Sequence, residues 1–171
     1  MKNFRLVGGN EIENLRNYLR SYYIEHPRIK FYVGTDSAQC GKHTKYVTTI
    51  CMLHPEHIDE LGKFHHGAGV HVVFKRESIQ RIREVYPRLW HETELTCEVA
   101  EFVHDALMDI WKQPLNNEKV PIVHLDLNRQ SKYKSNSAHD ASVGYLKGHG
   151  FEVYSKPESW SSSYVADWLC K

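Results

Sequence analysis

Two aspartates stand where a β-like run gives way to polar residues, Asp36 in FYVGTDS and Asp126 in VPIVHLDL. On neighbouring strands, about 4.8 Å apart, carboxylates in those places repel one another and need a cation. Taken singly, each is also accounted for as a turn-former at a strand end. The pair at equivalent ends is harder to dismiss. A third acid comes from HETELTCEVAE, which holds four candidates. Helical steps of three, four, seven and eight from Glu92 reach Leu95, Thr96, Val99 and Ala100, the apolar and small face that meets a sheet, so Glu92 points inward. The same steps from Glu94 reach Cys97, Glu98, Glu101 and Phe102, a mostly polar face. Arg88, four residues before Glu92, offers a competing account as a helix ion pair worth about 0.2 to 0.5 kcal/mol.

The fourth candidate is Asp167 in SSSYVADWLC, where Ser163, Tyr164, Ala166 and Asp167 lie on a helix that small residues allow to pack closely on the sheet. An exposed helical Asp is the bland alternative. Its rival, Asp140 in SAHDAS, falls in the first turn of its own helix, where the macrodipole already explains it. Lys156 closes a strand before Pro157 and is placed to reach a phosphate, although a solvated Lys is the ordinary account. His124 shares the strand face of Asp126, as a group near the acids or as a hydrogen-bonded core His. From 129 to 156, Arg129, Lys132, Lys134, Lys147 and Lys156 outnumber Asp140 and Glu152 by three, a modest phosphate-contact patch or a solvated face.

Periodicity indicates the elements that position these groups. Asn10 with Glu13 makes a capping box, and Ile12, Leu15, Tyr18, Leu19 and Tyr22 predict a helix over 11–25, ended by Pro27. FYVGTDS (31–37), KYVTTICML (45–53) and VHVVF (70–74), with glycines between them, predict three hairpin-connected antiparallel strands. After Pro87 the apolar stripe Leu95, Val99, Phe102, Val103, Ala106, Leu107 and Ile110 predicts the longest helix, stopped by Pro114. VPIVHLDL (120–127) is the nearly continuous apolar run of a central strand. A helix over 137–147, capped by Asn136 or Ser137, leads to the strand FEVYS, and a last helix covers 160–170. The order predicts an α/β fold: a mixed five-stranded sheet, three antiparallel strands then parallel ones, with helices on both faces.

A chain of 171 residues fits one domain over 1–171. Twenty-two Lys and Arg against 21 Asp and Glu leave +1, so no global positive field advertises nucleic acid, and such a partner must be met by a local patch. No apolar run approaches the roughly 18 to 20 residues of a membrane span, and MKNFRLVGGNEIENL lacks the apolar stretch of a signal peptide. A cytoplasmic protein with no membrane partner is expected. Four scattered cysteines form no Cys-x-x-Cys pair, which predicts reduced thiols. FHHGAGVH lacks the helical spacing of a zinc hydrolase and is expected to be a polar loop leading into a strand.

The ordered blocks YVGTDS (32–37), Gly67 and Gly69 before VHVVFKR, RLWHET (88–93), HLDLN (124–128), KYKS (132–135), GYLKGHGFEV (144–153), KPESW and SYVADWL carry a resemblance to the ribonuclease H-like superfamily. More narrowly the chain resembles the YkuK-type family of bacterial and phage proteins, over roughly residues 30 to 171. Residues 1–29 would be a helical extension to that domain. The resemblance maps the strand-one Asp to Asp36, the helix Glu to Glu92, the strand-four Asp to Asp126 and the final-helix acid to Asp167. Ser37 stands where ribonuclease H proper has the Gly of TDGS, a residue that admits close backbone approach to an RNA 2′-hydroxyl.

What the resemblance implies is a nuclease hydrolysing RNA, RNA/DNA hybrid or structured DNA through a two-metal site of Mg²⁺ or Mn²⁺ and leaving a 5′-phosphate and a 3′-hydroxyl. Asp36 would bridge both ions, with Asp126 and Glu92 on one side and Asp167 on the other. Lys156, Lys132, Lys134 and His124 are the candidate substrate-binding groups. A dimeric Holliday-junction resolvase and a non-catalytic nucleic-acid- or protein-binding module on the same fold are the alternatives. Against the module stands the desolvation cost of an inward Glu92 and buried acids.

Overall fold

The computed structural model describes residues 1–58, 61–112 and 119–171. In chain order the elements are β1 (Arg5–Leu6), α1 (Leu15–Glu25), β2 (Lys30–Cys40), β3 (His43–His54), β4 (His57–Ile58), β5 (Phe64–His65), β6 (Gly69–Gln80), α2 (Val85–Leu107), β7 (Lys119–Leu125), α3 (Asn136–Gly148), β8 (Phe151–Ser155), a π-helical turn (Ser161–Ala166) and α4 (Asp167–Cys170). Among the described residues the main sheet has six strands in the order β1-β6-β3-β2-β7-β8. β2, β3 and β6 pair antiparallel; β2–β7 and β7–β8 pair parallel.

The mixed α/β architecture is as expected, with one strand more. β1 is only two residues, too short to show a period, and pairs with Phe74 and Val73 at the free edge of β6. The antiparallel strands are longer than their apolar runs. β2 carries on through Ala38–Cys40, and β6 through the charged KRES stretch, because the ladder with β3 satisfies their backbone groups. The segment expected as a loop before β6 contains β5, which pairs with β4 in a separate two-stranded sheet.

α1 begins at Leu15, four residues later than the periodicity suggests, because Asn14 and not Asn10 is the cap; its side chain accepts from the Asn17 N–H at 3.0 Å. α2 begins before Pro87, since a proline in the first turn gives up an N–H that has no intrahelical partner. It ends at Leu107; Pro114, expected as its stop, lies outside the described residues.

Alternation along β2 assigns the two faces of the sheet. Thr35 faces α2, accepting from Thr96 at 2.8 Å. Gly34 faces the π-helical turn so closely that a Cβ on it would stand 2.9 Å from the Ser162 Cβ. The main core lies on the α2 side, where Val33, Val99, Val103, Val123 and Leu146 meet Phe4, Leu15 and Leu19 from the first helix and the segment before it. The four cysteines are free and three are buried. No helix among the described residues is long and apolar enough to cross a membrane.

Candidate active site

β2 and β7 are neighbours, and their parallel register runs Tyr32↔Ile122 to Thr35↔Leu125, so the next residues, Asp36 and Asp126, follow side by side. β7 stops there, whereas β2 continues to Cys40; Asp36 is inside its strand and not at its end. Both aspartates belong to the face of Gly34, which is the face of the last helix and of Asp167. Glu92 arrives from the opposite face. It is 3% exposed, among Leu89, Thr93, Leu95 and Thr96 on the buried side of α2.

Two polar neighbours hold Glu92 in place. Ser37 Oγ donates to its Oε1 at 2.5 Å, and Arg88 Nη1 lies 3.6 Å from the same oxygen while donating to Ser37 Oγ at 2.6 Å. The helix ion pair anticipated from spacing therefore exists and is largely desolvated. Ser37 was not among the expected groups; its signal in the sequence is position, two residues beyond Thr35 on the strand face that meets α2. Gly34 was missed as well, although a glycine inside a strand marks close backbone approach.

The acids are coupled through their charges. Burial and the neighbouring Asp126 push the Asp36 carboxyl up to about 7; Asp167 adds to this, while the Ser37 N–H and Arg88 oppose it. Burial lifts Glu92 well above the carboxylate range and Asp36 lifts it further, against the Ser37 hydroxyl and Arg88. Two lysines stand against the remaining acids. The Lys156 ammonium lies 2.9 Å from Asp126 Oδ1 and donates to Oδ2 at 3.0 Å, which leaves the buried Oδ1 without an aligned donor. Lys171 donates to Asp167 Oδ2 at 2.6 Å.

The donor chemistry, four carboxylates of which one has a buried oxygen without an aligned donor, fits a small divalent cation. As the side chains stand, no group of three or more His, Cys, Asp or Glu among the described residues is arranged to hold one. Asp126 and Asp167 instead have ammonium partners.

The other expected groups fall in different places. His124 is 2% exposed, and its Nδ1 is 2.8 Å from the Ser161 hydroxyl and 3.2 Å from the Ser161 N–H. Burial lowers its pKa to about 4, so the ring is neutral near pH 7. Lys132 and Lys134 are exposed on the loop after β7, where the Lys132 ammonium sits 5.1 Å from the Tyr133 ring centroid. Asp140 is in the second turn of α3, exposed and 2.8 Å from His139. The last helix packs closely through small residues as expected, Ser161, Ser162 and Ala166, while Tyr164 is exposed.

A family model described as ribonuclease H-like matches residues 12–171. Neither a curated protein nor a solved structure gives a match.

Proposed function

Because this chain belongs to the ribonuclease H-like family, in its YkuK-type branch, we propose that it is a divalent-metal-dependent nuclease acting on RNA, RNA/DNA hybrid or structured DNA. The observation that carries the proposal is the side-by-side register of Asp36 and Asp126 on parallel strands, with the buried Glu92 coupled to Asp36 across the sheet. Crowding carboxylates together in a desolvated place is costly, and a phosphate-processing site is a use for that cost. Asp36, Glu92, Asp126 and Asp167 would hold Mg²⁺ or Mn²⁺, which when bound supplies charge neutralisation at the scissile phosphate and acidifies a water.

The chain's own residues have separable parts in this. Ser37 and Arg88 orient Glu92 through the bonds described above. Asp126 would help hold the cation, and Lys156, now 2.9 Å from its Oδ1, would be the group at hand to contact a phosphate oxygen of the substrate. His124, neutral and bonded to Ser161, anchors the last helix to β7 and so positions Asp167. The test is a cleavage screen with Mg²⁺ and Mn²⁺ over labelled RNA, hybrid, duplex DNA and four-way junctions, with Asp36→Asn and Asp126→Asn as controls. Cleavage lost in both variants supports the nuclease; metal-dependent cleavage surviving Asp36→Ala overturns the site.

A second reading, a non-catalytic nucleic-acid-binding module, is favoured by the lysine ammonium groups standing on Asp126 and Asp167. Binding without cleavage of any substrate in the same screen would establish it.

A further inference from the structure

The last helix presents two aromatic rings to solvent. Tyr164 and Trp168 are 70% and 64% exposed, on either side of Asp167 in sequence. Both line an apolar groove of about 500 Å³ with Leu6, Val70 and Val72. Tyr164 also walls a second cavity of about 440 Å³, lined by Asn128, Gln130 and Lys156. Lys156 is the cation paired with Asp126, so one ring lines both a polar recess beside that carboxylate and an apolar trough.

A nucleic-acid strand has the matching alternation of anionic phosphates and flat apolar bases. Building on the nuclease reading, we propose that Tyr164 and Trp168 form a stacking platform for unpaired bases, and that the substrate class is a strand that is single-stranded at this site. The phosphate lies in the recess with Lys156, and the adjoining bases stack on Tyr164 and then Trp168. A continuous duplex or hybrid keeps its base faces stacked on one another and offers none to these rings. A second copy of the chain is the poorer occupant, since it would bring another carboxylate cluster toward the first.

The test is fluorescence anisotropy of the full chain in EDTA, which removes catalysis, with labelled 12-nucleotide oligo(dT) and oligo(U) against blunt duplex and hybrid of equal length. Tyr164→Ala and Trp168→Ala are each expected to weaken single-strand binding about tenfold. Tyr164→Phe and Trp168→Phe, which keep a ring, are expected to retain it, and circular dichroism confirms the fold of all four. Single-strand binding unchanged in both alanine variants overturns the proposal, as does duplex binding of equal strength with equal losses. A dimer in sedimentation that both alanine variants dissolve also overturns it, making the groove a protein interface. The two proposals fail separately. Cleavage that depends on Asp36 with binding indifferent to Tyr164 removes only the platform; ring-dependent binding by a chain that cleaves nothing removes only the nuclease.

Discussion

Asp36→Asn is expected to make the protein more stable at pH 8, although it alters a buried polar residue. In the unfolded chain Asp36 ionises near 3.8; in the fold it keeps its proton until about 7. Between those values the unfolded state binds fewer protons than the native state, so stability falls as pH rises, by about 1.4 kcal/mol per unit, and levels off above about 7. A shift of about three units gives about 4 kcal/mol, a large part of the 5 to 15 kcal/mol that holds a typical domain together. Glu92 shifts in the same direction and adds to the slope. Asparagine cannot ionise, and it also removes the largest charge acting on Glu92. The assay is urea unfolding of both proteins in EDTA from pH 4 to 8. The curves should coincide near pH 4 and separate steadily, with the variant more stable by up to about 4 kcal/mol at pH 8. At an m-value of roughly 2 kcal/mol/M this is a midpoint difference of about 2 M. Saturating Mg²⁺ at pH 8 should then stabilise the wild type by about 2.7 kcal/mol at a hundredfold excess over its dissociation constant, and the variant far less. Parallel pH curves, or a variant less stable at pH 8, would refute the claim that these carboxylates are crowded together.

Three further outcomes follow from individual contacts. Gly34→Ala forces a methyl against the Ser162 Cβ and should cost about 1 to 3 kcal/mol; an unchanged urea midpoint would mean that the last helix does not pack on β2 this closely. Ser37→Ala removes the donor to the buried Glu92 and should cost about 1 to 3 kcal/mol; an unchanged urea midpoint would contradict the bond between them. The His124 ring resonances should not titrate between pH 5.5 and 8 in NMR spectra, and a midpoint near 6.5 would place that ring in water.

The parts of the site legible in the sequence are those fixed by local period. Helical steps from Glu92 through Leu95, Thr96, Val99 and Ala100 identify the buried side of α2 before any partner is known. The apolar run of β7 marks a central strand, and β2 is its neighbour. What depends on non-local pairing is not legible: the continuation of β2 past Ser37, the pairing of β1 with β6, and the bond from Ser37 to Glu92 across 55 residues of sequence. The last helix misleads for a different reason. Its π-helical turn changes the angle per residue, so Ser161 and Ser162 are buried along with Ala166 while Tyr164 is exposed.

The mismatch in strand lengths beside Asp36 also determines how a long ligand can approach. β2, β3 and β6 rise together some four residues beyond the carboxylates, about 13 Å at the usual strand rise, while β7 has already turned away at Leu125. The acids therefore sit at a step in the sheet, with strands continuing on one side of Asp36 and ending on the other. A polymer crossing them meets the projecting ends of three strands on one side and the loops after β7 and β8 on the other, so the lopsided edge makes its two ends distinguishable.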